Sequence, residues 1–249
     1  SVTSFNENKL GAEVFLNTGT GKQINLTINP DFGQAESDEV IVNFSAQETF
    51  YSEKRAFFNE NQSLFDLNHY DRYRIINTRR IGAGSNYLCS STLNENDCIN
   101  SKKNYTDIDY ALRYTQKNNN LDFGIFVAKE SDERYSNGKD FYAIRSKKKI
   151  DNRTVGYFLT HVENNFLNES ATVNVIDFAN VKSNKLTLYN DLISSEKEGK
   201  SGFGYRSQFN YKPTPLSRRS GSILYFDENL ILNDFGYLKK NDWFHVGIG

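Results

Sequence analysis

The chain has 249 residues, a formal net charge of −1, 37% hydrophobic residues and 14% aromatics, with 19 Phe and 15 Tyr against a single Trp. A charge so near zero gives no electrostatic case for nucleic acid as a partner. No run approaches the roughly 18 consecutive apolar residues of a membrane helix, and the length suits one large all-β domain or two small ones.

In chain order, strands are predicted at 11–17 and 23–29, where Ile24, Leu26 and Ile28 alternate with Gln23, Asn25, Thr27 and Asn29. Between them, Thr18-Gly-Thr-Gly-Lys22 lacks the spacing and following helix of a phosphate loop and reads as a hairpin turn. Residues 29–65 break the pattern. They set the carboxylates Asp31, Glu36, Asp38, Glu39, Glu48, Glu53 and Glu60 among aromatics and one basic pair, Lys54 and Arg55. This block holds a predicted strand at 39–46 and short helical pieces within 50–66.

Beyond it, strands are predicted at 70–78, 83–88, 107–115, 121–129, 140–148, 153–162, 171–179, 184–190, 203–212, 219–227 and 240–248. Turn signals separate many of them, such as Lys117-Asn-Asn-Asn120, Asp151-Asn152, Ser194-Ser-Glu-Lys-Glu-Gly199 and Lys212-Pro-Thr-Pro215. The spacing predicts an all-β fold, an antiparallel meander of hairpins.

The faces alternate sharply. Phe203, Tyr205, Phe209 and Tyr211 oppose Gly204, Arg206, Gln208, Asn210 and Lys212; Ile108, Tyr110, Leu112 and Tyr114 oppose Asp107, Asp109, Arg113 and Thr115. A soluble sandwich turns the apolar face inward, whereas an outer-membrane barrel turns it to lipid and lines its lumen with the polar face. Alternation alone does not choose between them. Strands of about ten residues, charges on the polar faces (Asp109 with Arg113, Arg145 with Lys147) and aromatics toward strand ends lean to the barrel.

Cys89 and Cys98, the only cysteines, flank a polar segment with turn chemistry, which favours a disulfide and an oxidising compartment over a metal site. With three prolines, no Met and an opening of Ser-Val-Thr-Ser-Phe, the sequence reads as a processed or excised fragment.

Asn29-Pro-Asp-Phe-Gly-Gln-Ala-Glu-Ser-Asp38, Asn43-Phe-Ser, Glu48-Thr-Phe-Tyr-Ser-Glu-Lys-Arg-Ala-Phe-Phe58 and Arg79-Arg-Ile-Gly82 resemble the signature of a largely uncharacterised bacterial outer-membrane-associated family. The later stretch Asn233-Asp-Phe-Gly-Tyr-Leu-Lys-Lys-Asn-Asp-Trp243 resembles it too. The resemblance implies a β-rich region that looks like a membrane barrel, usually preceded by a carbohydrate-binding family-9-like module. That module has no counterpart in this sequence, so none of its sugar-binding residues carries over. The resemblance also implies a longer chain, so that a partner chain or further residues would complete the barrel.

The acidic block admits three readings. In the plain structural one, Asp31, Glu36, Glu48 and Glu53 form a charge lock with Lys54, Arg55, Arg79 and Arg80. In the second, Asp31, Glu36, Asp38 and Glu39 hold a hard cation such as Ca²⁺. In the third, a pair of these carboxylates hydrolyses glycosides. His69, His161 and His245 are far apart and form no ligand or triad motif. The basic run Arg145-Ser-Lys-Lys-Lys149 with Arg153 could meet lipopolysaccharide or a polysaccharide, or be a solvated strand end. Tyr70, Tyr73, Tyr87, Tyr105 and Tyr135 could stack on sugars, with girdle or core packing the plainer reading.

The sequence is therefore expected to form a single β domain over 1–249, with 29–66 as a brace or plug and 67–249 as the meander, part of an outer-membrane barrel. The expected function is non-enzymatic binding or passage of an oligomeric ligand, carbohydrate among the candidates, at a surface of outer-membrane lipid or lipopolysaccharide. The alternatives are a soluble periplasmic or secreted ligand- or protein-binding domain and a glycoside hydrolase. No cofactor is expected other than the Ca²⁺ of the second reading.

Overall fold

The computed structural model describes residues 11–30, 50, 52–60, 62–67, 72–84, 89, 95–103, 105–164, 168–183 and 185–249. Its strands are β1 (Ala12–Asn17), β2 (Lys22–Ile28), β3 (Tyr73–Arg74), β4 (Ile108–Lys117), β5 (Leu121–Glu130), β6 (Asp140–Ile150) and β7 (Arg153–Asn164). They continue with β8 (Glu169–Ser183), β9 (Leu186–Lys197), β10 (Lys200–Thr214), β11 (Ser217–Phe226), β12 (Tyr237–Leu238) and β13 (Trp243–Ile248). Two short helices, α1 (Ala56–Asn59) and α2 (Glu95–Asn100), lie between β2 and β4.

All strands except β3 and β12 form one eleven-stranded antiparallel sheet, in which every strand pairs with its neighbour in the sequence once β3 and β12 are set aside. The all-β meander expected from the sequence is thus present. The sheet is open, with β1 and β13 as its edges among the described residues.

Several boundaries differ from expectation. Of the strand predicted at 70–78, the described residues 72–78 hold only β3, which pairs with β12 in a separate two-stranded sheet, with Tyr73 and Ile75 buried in the interior filling. At 83–88 only Ala83 is seen to bridge, to Tyr105, and 85–88, like the predicted strand at 39–46, lies outside the described residues. The strand expected at 184–190 runs on as β9, and the turn at 194–199 contracts to Glu198–Gly199, both at positive φ. Strand β10 continues through Pro213, where the register with β11 shifts; a bulge tolerates a residue without an amide donor.

Which face is covered decides the character of the molecule. Along β4, Ala111, Arg113 and Thr115 are buried; along β10, Gly202, Gly204 and Arg206 are. Asn25 and Thr27 are buried on β2, while Ile28 is exposed. The opposite face carries Tyr142, Ile144, Tyr157, Ile176, Leu192, Ile223, Tyr225 and Phe244, all exposed. The covered face thus mixes large apolar side chains (Phe126, Phe141, Phe158, Val175, Ile193, Phe226) with small and charged ones, while the exposed face carries further apolar rows.

The covered face is filled by the described residues of 50–84 and by 227–242. Phe58 meets Phe126, Phe65 meets Phe158, and Phe235 packs on both Phe126 and Phe141 with centroids 5.9 and 5.1 Å away. Gly124 is required where Leu64 and Phe65 press on β5: a Cβ there would lie 2.8 Å from each side chain. No helix among the described residues is long and apolar enough to cross a membrane.

Candidate functional site

The chemistry-bearing side chains gather between the covered face and its filling. Arg145 on β6 reaches Asp177 on β8 across β7, donating from Nη1 and Nη2 to the two carboxylate oxygens at 2.5 and 3.0 Å. The reach is open because Gly156, paired with Asp177 in the register, has no side chain where the guanidinium lies. Arg145 also donates to the Leu64 carbonyl, tying the filling to the fork.

A second cluster lies on β9 and β10. The Tyr73 hydroxyl donates to Asp191 Oδ2 at 2.5 Å, and Arg206 Nη1 donates to the same oxygen at 3.1 Å. Arg206 Nη2 also donates to Gln208 Oε1. Both charged side chains are nearly fully buried, so each depends on the other for compensation.

Arg113 on β4 performs a third task. It donates to the carbonyls of Phe58 and Glu60 at the end of α1, satisfying acceptors that the helix leaves unpaired. Asn25 on β2 donates to the Glu60 carboxylate at 2.6 Å. Glu130, buried on β5, accepts from the amides of Gly82 and Lys139.

Of the residues expected in the charge lock, Glu53 and Arg55 pair at 2.8 Å. Arg55 further donates to the carbonyls of Thr78 and Ile81, and Thr78 Oγ1 donates to Glu53. Burial alone would raise the Glu53 carboxyl. The hydrogen bonds and charge of Arg55, with the Thr78 hydroxyl, outweigh that and hold it below its ordinary 4.5. Arg79 and Arg80 donate to the carbonyls of Ser52 and Gly236. The backbone amide of Lys54 donates to Glu53. Asp31, Glu36, Asp38, Glu39 and Glu48, and with them the proposed Ca²⁺ and hydrolytic pairs, lie outside the described residues. Among the described residues no cluster of His, Cys, Asp and Glu gathers as a metal site.

Two pairings read from the sequence are corrected. A register irregularity between Ile108 and Tyr110 turns Asp109 outward, where it accepts from Ser131 rather than meeting Arg113. Arg145 is matched by Asp177, not by its neighbour Lys147. The Cys89–Cys98 disulfide is present, and Cys98 lies within α2, which begins at Glu95 inside the polar segment. His161 bonds Thr172 and Glu163 on the exposed face, and His245 accepts from Arg72; His69 lies outside the described residues.

Between the filling and β4–β5 there is a cavity of about 50 Å³, lined by Glu53, Asp66, Arg74, Thr78, Arg113 and Phe126. That is room for a few waters. Among the described residues the interior is a braced, occupied space rather than an open binding cleft.

These features define an antiparallel β-meander whose covered face joins an aromatic core to buried charged side chains and whose other face exposes apolar rows. The chain belongs to the family described as Domain of unknown function (DUF5916), whose model matches residues 23–184, more than half of the sequence. A comparison with curated proteins finds no match.

Proposed function

We propose that this chain forms wall and plug of an outer-membrane-type β-barrel, and that the protein is a non-enzymatic outer-membrane protein for binding or passage of an oligomeric ligand. The observation that carries the reading is the direction of the alternation. The Arg–Asp pairs Arg145–Asp177 and Arg206–Asp191 face the filling, while Ile144, Ile176, Leu192 and Val246 face outward. In water that arrangement exposes a broad apolar surface; in lipid it is the expected one. Strands β4–β11, each of ten to fifteen residues, meet the length a tilted membrane strand needs.

Lipid would not tolerate the open backbone edges of β1 and β13, so further strands, of the same polypeptide or of a partner, would pair with them. Passage would require the filling to move, since the interior is occupied. Carbohydrate is favoured as the ligand class only through the sugar-binding companion module that the resembling family usually carries.

The test is purification from native membranes, with and without detergent, followed by electrophoresis of boiled and unboiled samples. A detergent-dependent, heat-modifiable band supports the reading. A protein that stays soluble without detergent and is indifferent to boiling overturns it, in favour of an extracytoplasmic binding domain.

A further inference from the structure

The two ends of the sheet differ. The connections after β1, β4, β6, β8 and β10 span at most four residues, whereas the opposite end carries the long connections 29–107, 131–139 and 227–242 together with the short ones after β7 and β9. The outward rows also end differently at the two rims. At the tight-turn rim, Lys22 and Arg153 open their strands, and Lys148 and Arg219 stand within two residues of a strand end.

All four side chains are exposed and share the face that carries the apolar rows. Lys148 is in register with Val155, Arg153 with Ile150, and Lys22 with Gln116, two residues beyond Tyr114. At the opposite rim the same face ends in Lys129, Asp140, Glu163 and Glu196, with Lys129 and Asp140 paired at 3.7 Å. One rim is a collar of cations; the other is net acidic.

We propose that the collar of Lys22, Lys148, Arg153 and Arg219 seats in the phosphate headgroups of anionic glycerophospholipid, so that the tight-turn end faces the periplasmic leaflet. The inference rests on the barrel reading above. Cations bordering an apolar surface extend their stems along it and place the charge at the headgroup level. Such residues gain from anionic phosphate within a Debye length. The cations mark an anionic headgroup level, and short turns at the periplasmic side, the general arrangement of outer-membrane barrels, assign that level to the periplasmic leaflet.

The experiment uses the full-length protein, purified in detergent and reconstituted into phosphatidylcholine nanodiscs containing phosphatidylglycerol or lipopolysaccharide. After exchange back to detergent, retained lipid is quantified by mass spectrometry. Enrichment of phosphatidylglycerol over phosphatidylcholine, falling roughly tenfold in the variant Lys148→Glu/Arg153→Glu/Arg219→Glu, is the expected result. Its unboiled gel band reports whether that variant has folded. Should it not fold, Lys148→Gln and Arg153→Gln are measured singly, beside wild type in high salt, where enrichment should fall.

Equal retention of both phospholipids, or preferential retention of lipopolysaccharide, overturns the collar while leaving the barrel standing. Absence of a heat-modifiable band and of retained lipid in every mixture overturns both.

Discussion

Arg145 and Asp177 sit on strands that do not touch, and they meet over the backbone of Gly156. The side chains are 1% and 11% exposed, so the fork is a desolvated, two-bonded ion pair. Breaking such a pair costs more than never having built it.

Asp177→Ala should therefore destabilise the fold by about 3–5 kcal/mol, because Arg145 is left buried and uncompensated. Replacing both partners with apolar residues, Arg145→Met with Asp177→Leu, should recover most of that loss. Denaturant midpoints read from the unboiled gel band measure both.

Gly156→Ala tests the crossing itself. Its Cβ would occupy space held by Asp177 Oδ1 and the Arg145 guanidinium. The fork must then part, and the loss should approach that of Asp177→Ala, although no charge has been removed. An effect within about 0.5 kcal/mol, typical of an uninvolved surface site, would mean that the fork can take another path.

Tyr73→Phe removes one hydroxyl that joins the filling to Asp191. A hydrogen bond to a charged partner contributes about 1.5–3 kcal/mol, and the loss should loosen segment 72–76 before the sheet. Hydrogen exchange should show faster exchange of the Asn77 amide, which bonds the Phe235 carbonyl, with the β6–β8 amides unchanged.

Glu53 predicts an acid-sensitive brace. Its carboxyl is held below 4.5 in the folded chain, so its contribution is fully present above the unfolded value and is lost as pH falls through the folded one. Stability should decline below about pH 4.5, and Glu53→Gln should flatten that part of the profile while lowering stability at neutral pH.

The exposed face offers the sharpest discrimination between lipid and water. Ile176→Lys places a charge amid the outward rows; in a bilayer it should cost about 2–4 kcal/mol near the midplane. In water, substitution of a residue already 53% exposed should be close to neutral. Folding efficiency in lipid vesicles compared with buffer decides which.

Much of the sheet was legible because a strand writes its period into the sequence: Ile24, Leu26 and Ile28 marked β2 directly. Which face was covered was not legible, since reversing inside and outside leaves the alternation unchanged. Nor was the match of Arg145 to Asp177, which depends on β7 lying between β6 and β8 and on one glycine there. That Gly156 interrupts an otherwise bulky strand was the available signal. Arg113 was visible as a charge on a strand, but its partners are backbone carbonyls, which no residue type announces. The stretch at 70–78 misled because Tyr73 and Ile75 alternate as a strand would while packing inside the filling.

Strands β2 and β4 pair directly, Lys22 with Gln116 through Ile28 with Tyr110, although 79 residues from Asn29 to Asp107 separate them. This sets a schedule for assembly. The hairpins from β4 to β11 can each zip locally, but the seam between β2 and β4 cannot close until the intervening stretch has been gathered in. Closing so long a loop makes that seam the entropically costly join. Part of the brace is thus built into the wall's own order of construction: the filling from 50–84 is stocked as the seam is sewn, while that from 227–242 follows β11.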